Sequence, residues 1–166
     1  MKLDLNLLIT AYINEKATTK ILPYKSIVDD FIFHIKFKCD ADIKPINTVL
    51  NELREIEINR IKYFIKGYLH CRLDKIRTNI FINDSFLNLK EKIFRSKYLM
   101  LLEDYNLPID ESKSTSDVEF VGFIVNKNTE KVILDGEIID LIIGDFYISN
   151  IDDIFDKLLS NVISLV

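Results

Sequence analysis

Of the four glycines in this 166-residue chain, three (Gly122, Gly136 and Gly144) fall in the last third, and only Gly67 lies in the first 110 residues. Tight turns between strands draw on glycine for backbone conformations that other residues avoid. A long stretch with a single glycine is therefore a poor candidate for a meander of short strands. The distribution predicts an α+β fold, with an N-terminal helical domain of about four helices followed by a small mainly-β C-terminal domain. The segment from Ile109 to Ser116, after Pro108, is polar and built of small residues, as a linker would be. The resulting division is 1–110 helical, 111–117 linker and 118–166 β.

Charge divides the chain at the same place. Residues 1–116 hold 19 Lys and Arg against 16 Asp and Glu, whereas residues 117–166 hold 3 against 10. An acidic unit repels phosphate, so the last third is not expected to grip nucleic acid. An apolar share of 48% with three prolines excludes a disordered chain. The longest strongly apolar stretches, Phe31–Ile35 and Leu141–Ile143, fall far short of the roughly 20 residues that a membrane helix needs. Two cysteines, Cys39 and Cys71, cannot form a disulfide framework, and no signal-like apolar core opens the chain, which points to a reducing compartment.

Four helices are expected over about 2–16, about 23–38, Pro45 to about Ile76, and Asp84 to about Glu103. Pro23 and Pro45 would stand in first turns, where a missing N–H costs nothing, and Asp84 would cap the fourth helix. The third helix has the clearest stripe: Ile61, Phe64, Ile65, Tyr68, Leu69, Arg72 or Leu73, and Ile76 recur at three and four. Beyond the linker, Val118–Val125 and Lys131–Leu134 flank Asn126–Glu130 as a hairpin would, and Asp135-Gly136 and Gly144-Asp145 mark further turns. Ser149 or Asn150 should cap a short helix, and Val162–Val166 should close the chain as a strand. Fifty residues without a disulfide or metal are near the lower limit for independent folding, so this unit is expected to lean on something else.

No arrangement of reactive side chains stands out. His34, Cys39, His70 and Cys71 are the only metal-ligand types near one another in sequence, but their helical spacing sends them to different faces. Cys71 lacks a base and an oxyanion site beside it. Asp135 and Asp145 read as turn residues, and no phosphate loop, G-x-S-x-G or H-E-x-x-H is present. No catalytic residue, cofactor or metal is expected. On the third helix Arg60, Lys62, Lys66, Arg72, Lys75 and Arg77 accompany Tyr63 and Tyr68. This mixture suits a nucleic-acid surface, or a buried stripe flanked by basic stems that reach to water.

Glu57-Ile58-Asn59-Arg60-Ile61-Lys62-Tyr63, followed by Tyr68-Leu69-His70-Cys71-Arg72-Leu73-Asp74-Lys75-Ile76, resembles the signature E-x-x-R-x-[KR]-[YF]-x(4)-Y-L-R-x-R-L-x-K-I of GINS subunit four, the Sld-five subunit. His70 stands where that pattern has Arg, and Arg77 where an acidic residue is usual. Asn14-Glu15-Lys16, Ile21-Leu22-Pro23, Tyr98-Leu99 and Leu107-Pro108 are similar to the family's helical domain, and Ile138–Tyr147 with Val162–Val166 to its terminal β domain. The resemblance implies a nuclear, non-catalytic scaffold. Its partners would be three other GINS subunits, the MCM ring and a RecJ-like protein of the replicative helicase. Arg60, Tyr63, Tyr68, Leu69, Arg72, Leu73 and Ile76 would be its structural or interface signature.

A further expectation concerns the amino terminus, where Leu5, Leu8, Ile9 and Tyr12 fall on one helical face behind Asp4. This spacing serves anchors that lie in a partner's groove. It is similar to the motif by which some relatives bind a trimeric replisome adaptor that links helicase to DNA polymerase; the alternative is that the helix packs on its own domain. A nucleic-acid-binding module with a helical reader remains the other class of reading. No sequence-specific nucleic-acid contact and no membrane contact are expected.

Overall fold

The structure is a computed structural model that describes residues 3–40, 48–107, 118–134 and 136–166. Pro45, the linker 111–117 and Asp135 lie outside the described residues, as does the Cys39 side chain. Helices dominate the first part and small antiparallel sheets the second, the α+β order expected from the glycines.

Helix α1 (Leu5–Ala17) starts at Asp4, whose carboxylate accepts from Asn6 N at 2.9 Å. Helix α2 covers Ile27–Asp40. Pro23 is not in its first turn, contrary to the sequence reading. It sits in an irregular strap, residues 21–25, in which Tyr24 N bonds Phe86 O at 3.1 Å and Leu22 O is an acceptor for Arg72. That backbone is held by partners across the fold, which overrides the preference of Pro23 for a helix start. Helix α3 (Thr48–Thr78) runs 31 residues, about 46 Å at 1.5 Å per residue. Gly67 in its interior is where α1 crosses: a Cβ there would come within 2.6 Å of the Tyr12 ring.

The fourth helix, α4, covers Leu89–Asp104 and starts later than expected, because Asp84–Phe86 forms a separate 3-10 turn capped by Asn83. Asn88 is the cap of α4. Its side chain accepts from Glu91 N at 2.8 Å, and Glu91 returns a bond by accepting from Asn88 N at 3.0 Å. This reciprocal box satisfies two N–H groups at once, more than Asp84 offers alone.

Strand β1 (Phe120–Val125) is central in a sheet of order β4-β1-β5, antiparallel to β4 (Phe146–Asn150) and β5 (Ile163–Leu165). Strands β2 (Thr129–Leu134) and β3 (Glu137–Leu141) form their own two-stranded sheet. The hairpin expected between β1 and β2 is thus corrected. Both edges of β1 are occupied, and Asn126 N and Lys127 N bond Val162 O, so the chain leaves the sheet there. Gly136 and Gly144 have φ of +87° and +90°, values that require glycine at these turns. Helix α5 (Ile151–Leu159) is capped by Asn150, with Asp152 and Asp153 in its first turn.

Three apolar cores result among the described residues. One lies among α1, α2 and α3 around Leu8, Phe31, Ile65 and Tyr68. A smaller one joins Ile21, Ile76 and Leu87. The third packs Phe123, Leu141, Ile154 and Ile163 of the β unit, and it includes Leu22, with Ala17 against it, from the helical part.

Candidate functional site: a buried ionic centre and two uncovered apolar faces

Arg72 is fully buried on the inward stripe of α3, and all five of its N–H groups find acceptors. Nε and Nη2 make a fork on Glu91, at 2.7 and 3.0 Å. Nη1 donates to Glu15 at 3.0 Å and to Leu22 O at 2.5 Å, and Nη2 donates also to Phe86 O at 2.8 Å. One side chain thereby ties α3 to α1, the strap, the 3-10 turn and α4. Lys75, one turn on, donates to Glu15 Oε1 at 2.7 Å, Glu15 O at 2.5 Å and Lys20 O at 2.9 Å. The two cations face two carboxylates, so the centre is formally neutral. Tyr24 and Tyr68 close it, with ring centroids 5.4 and 5.5 Å from the guanidinium carbon.

Burial alone would weaken the Arg72 charge, but the Glu91 hydrogen bonds and the Glu15 charge outweigh it and hold the guanidinium above its ordinary value. For Lys75 burial prevails over Glu15, and its ammonium is held below the usual lysine value. Burial pushes the Tyr68 hydroxyl up to about 12, against the opposing pull of Arg72, and raises Tyr24 too.

The signature residues divide between inside and outside. Tyr68, Arg72 and Ile76 are buried, Leu69 and Leu73 are half-buried, and Arg60 and Tyr63 are exposed. At the amino terminus Asp4 is an exposed cap, whereas Leu8 has no exposure and Leu5, Ile9 and Tyr12 are half-buried. Leu5 and Tyr12 pack on the Leu8 core, so of the stripe that a partner's groove would need, all but Ile9 is engaged inside the chain. Sequence reasoning named Glu15 only within the family likeness, with no role at this centre, and passed over Glu91. Glu91 was findable as the fourth residue of Asn88-Leu89-Lys90-Glu91, a capping-box spacing. Glu15 gave a weaker signal, an acid in register with Leu8 and Ala11 on the inward face of α1.

Two apolar faces have nothing over them among the described residues. On the N-terminal half of α3, Leu53, Ile56 and Tyr63 are exposed at the alternating three and four spacing of a helix-packing seam, with Arg60 in the seam and Leu50 beside it. The second is the outer face of the β4-β1-β5 sheet, where the register places Phe120, Gly122, Ile124, Phe146, Ile148, Asn150 and Ser164. No charged residue stands among them. Phe120 is 61% exposed and Ile148 62%, and the Phe146 ring lies over Gly122, where a Cβ would meet it at 2.9 Å.

Among the described residues no group of three His, Cys, Asp or Glu side chains is placed to hold a metal ion, and no helix is long and apolar enough to cross a membrane. His34 lies on α2, His70 is exposed on α3, and Cys71 is a half-buried free thiol. Asp145 lies in the Gly144 turn and accepts from the Tyr147 hydroxyl at 3.2 Å. Comparison with known proteins gives no match, either to a family model or to a curated protein.

Proposed function

We propose that this chain is a non-catalytic structural subunit of a GINS-type heterotetramer, assembled with three other GINS subunits and docked to the MCM ring and RecJ-like partner of the replicative helicase. The observation that carries the reading is the pair of uncovered apolar faces. An exposed apolar surface costs solubility and marks an interaction site, whether free of charge like the sheet face or carrying a single Arg60 like the α3 seam. Two of them on one small protein suit a subunit with several permanent neighbours. The likeness at Glu57–Ile76 supplies the family. In support, Tyr68, Arg72 and Ile76 of that run form the interior of the helical part, while Arg60 and Tyr63 of the same run lie on the outward seam. The helical-first order suits subunit four. On this reading α1 belongs to the body of the protein and is not an adaptor-binding peptide.

The test is affinity purification of the tagged chain from its own cells. Three stoichiometric partners of about 20 kDa are expected, a size typical of single domains. The paired substitutions Leu53→Lys with Ile56→Lys, and Phe146→Lys with Ile148→Lys, should each lose one or more partners while circular dichroism stays like the parent's. Recovery of the parent without partners, or of both variants with the full set, would overturn the proposal.

A further inference from the structure

Glu119, just before β1, reaches across the chain to the bend that follows α1. Its carboxylate accepts from Thr18 Oγ1 at 3.0 Å, Thr19 Oγ1 at 2.9 Å and Thr19 N at 2.6 Å. Its own carbonyl accepts from Ile151 N, the first residue of α5, at 2.9 Å. Lys20 pairs with Asp152 of α5 at 2.6 Å. Behind these, the Asn14 side chain accepts from Leu165 N of β5 at 2.8 Å, and Ala17 and Leu22 meet the β unit's core. The opposite side of this segment is held to the helical body, where Lys75 binds Lys20 O and Arg72 binds Leu22 O.

The two attachments differ in kind. The helical one is buried and charge-balanced around Arg72. The β one is mixed: Leu22 and Ala17 meet the β core, Phe86 lies against Phe155 and the Asn14 bond is buried. The Glu119 edge is polar and partly in water, with Thr19 and Asp152 exposed and Glu119 half-buried. A polar contact at the solvent edge opens more readily than the apolar cores beside it. We infer that Glu119 with Thr18 and Thr19 is a clasp, a built-in opening point that fixes the β unit on the helical unit. When it is released, the α5 and β5 side of the β unit loosens from residues 14–22, which stay with α3. Thr19 is the control point, because its exposed hydroxyl lies against the Glu119 carboxylate, and negative charge there repels it. This inference does not depend on the proposed function.

Amide exchange of the full chain, read by mass spectrometry, tests it with Glu119→Ala, Thr19→Glu and Thr19→Val. In the parent, residues 151 and 163–166 should be protected. Glu119→Ala and Thr19→Glu should each speed exchange there at least tenfold, with residues 61–76 changed less than twofold. Thr19→Val keeps the Thr19 N bond and should have a smaller effect than Thr19→Glu. Unchanged exchange at 163–166 in both of the first two variants, or equal acceleration at 61–76, would overturn the clasp.

Discussion

An arginine cut off from water must find five acceptors inside the protein, and Arg72 draws them from four separate segments. A buried ion pair of this kind barely repays its desolvation, but removing one partner leaves the others charged and unpaired. Arg72→Ala should therefore destabilise by about 3–5 kcal/mol, a fall of roughly 10 °C in thermal melting for a chain of this size. Arg72→Lys should recover only part of it, since an ammonium cannot make the fork on Glu91. A variant that melts within 2 °C of the parent, to within about the shift of 1 kcal/mol, would contradict the account.

The same centre gives a pH test. Tyr68 titrates near 12 in the fold, against 10 for a free tyrosine, so between those values the unfolded chain has lost a proton that the folded chain keeps. The stabilisation is complete below pH 10 and is lost as pH rises through 12, at a cost of about 2–3 kcal/mol. Tyr24 acts in the same direction. Lys75, held below its free value, acts in the opposite one, because the unfolded chain then binds the extra proton and stability gains as pH rises. The effect of Tyr68 is isolated by comparing the parent with Tyr68→Phe: the parent's melting temperature should fall more steeply between pH 10 and 12. Equal slopes would contradict it.

At the scale of elements, the α3 crossing rests on the one glycine of the helical part. Gly67→Ala adds helix propensity worth about 1 kcal/mol, but its methyl would collide with the Tyr12 ring, which is packed edge-on against Tyr63 and Phe64. The gain should therefore appear only when Tyr12 is replaced by Ala, so the double-mutant cycle is expected to show coupling. Additive effects would mean that Tyr12 swings aside freely. Asn88→Ala, which breaks the α4 box, should cost about 1 kcal/mol in chemical denaturation.

The elements that were legible in the sequence are those whose signal is local. The Ile61–Ile76 stripe, the Asn150 cap and the Gly136 and Gly144 turns each depend on a few neighbouring residues. The errors arose where distant partners decide. Pro23 is kept out of the helix because Phe86 and Arg72 bond its neighbours, and β1 turns away from β2 because β4 and β5, both later in the chain, take its two edges. The candidate site follows the same rule. Arg72 was legible through its position on the stripe, but its acceptors on Glu15, Leu22 and Phe86 lie 57, 50 and 14 residues away and leave no periodic trace.

For the whole molecule, the last fifty residues read as too apolar and too small to stand alone, and their core does include Leu22, with Ala17 against it. That contact covers only the inner face of the β4-β1-β5 sheet. Among the described residues nothing covers its uncharged outer face or the outward seam of α3, and their burial by other subunits is the central claim. Native mass spectrometry of the complex purified from the protein's own cells tests it most directly. The account predicts one assembly that contains this 19.4-kDa chain once, with three different partners once each. A chain recovered as a stable monomer of its own mass, or only in copies of itself, would contradict it.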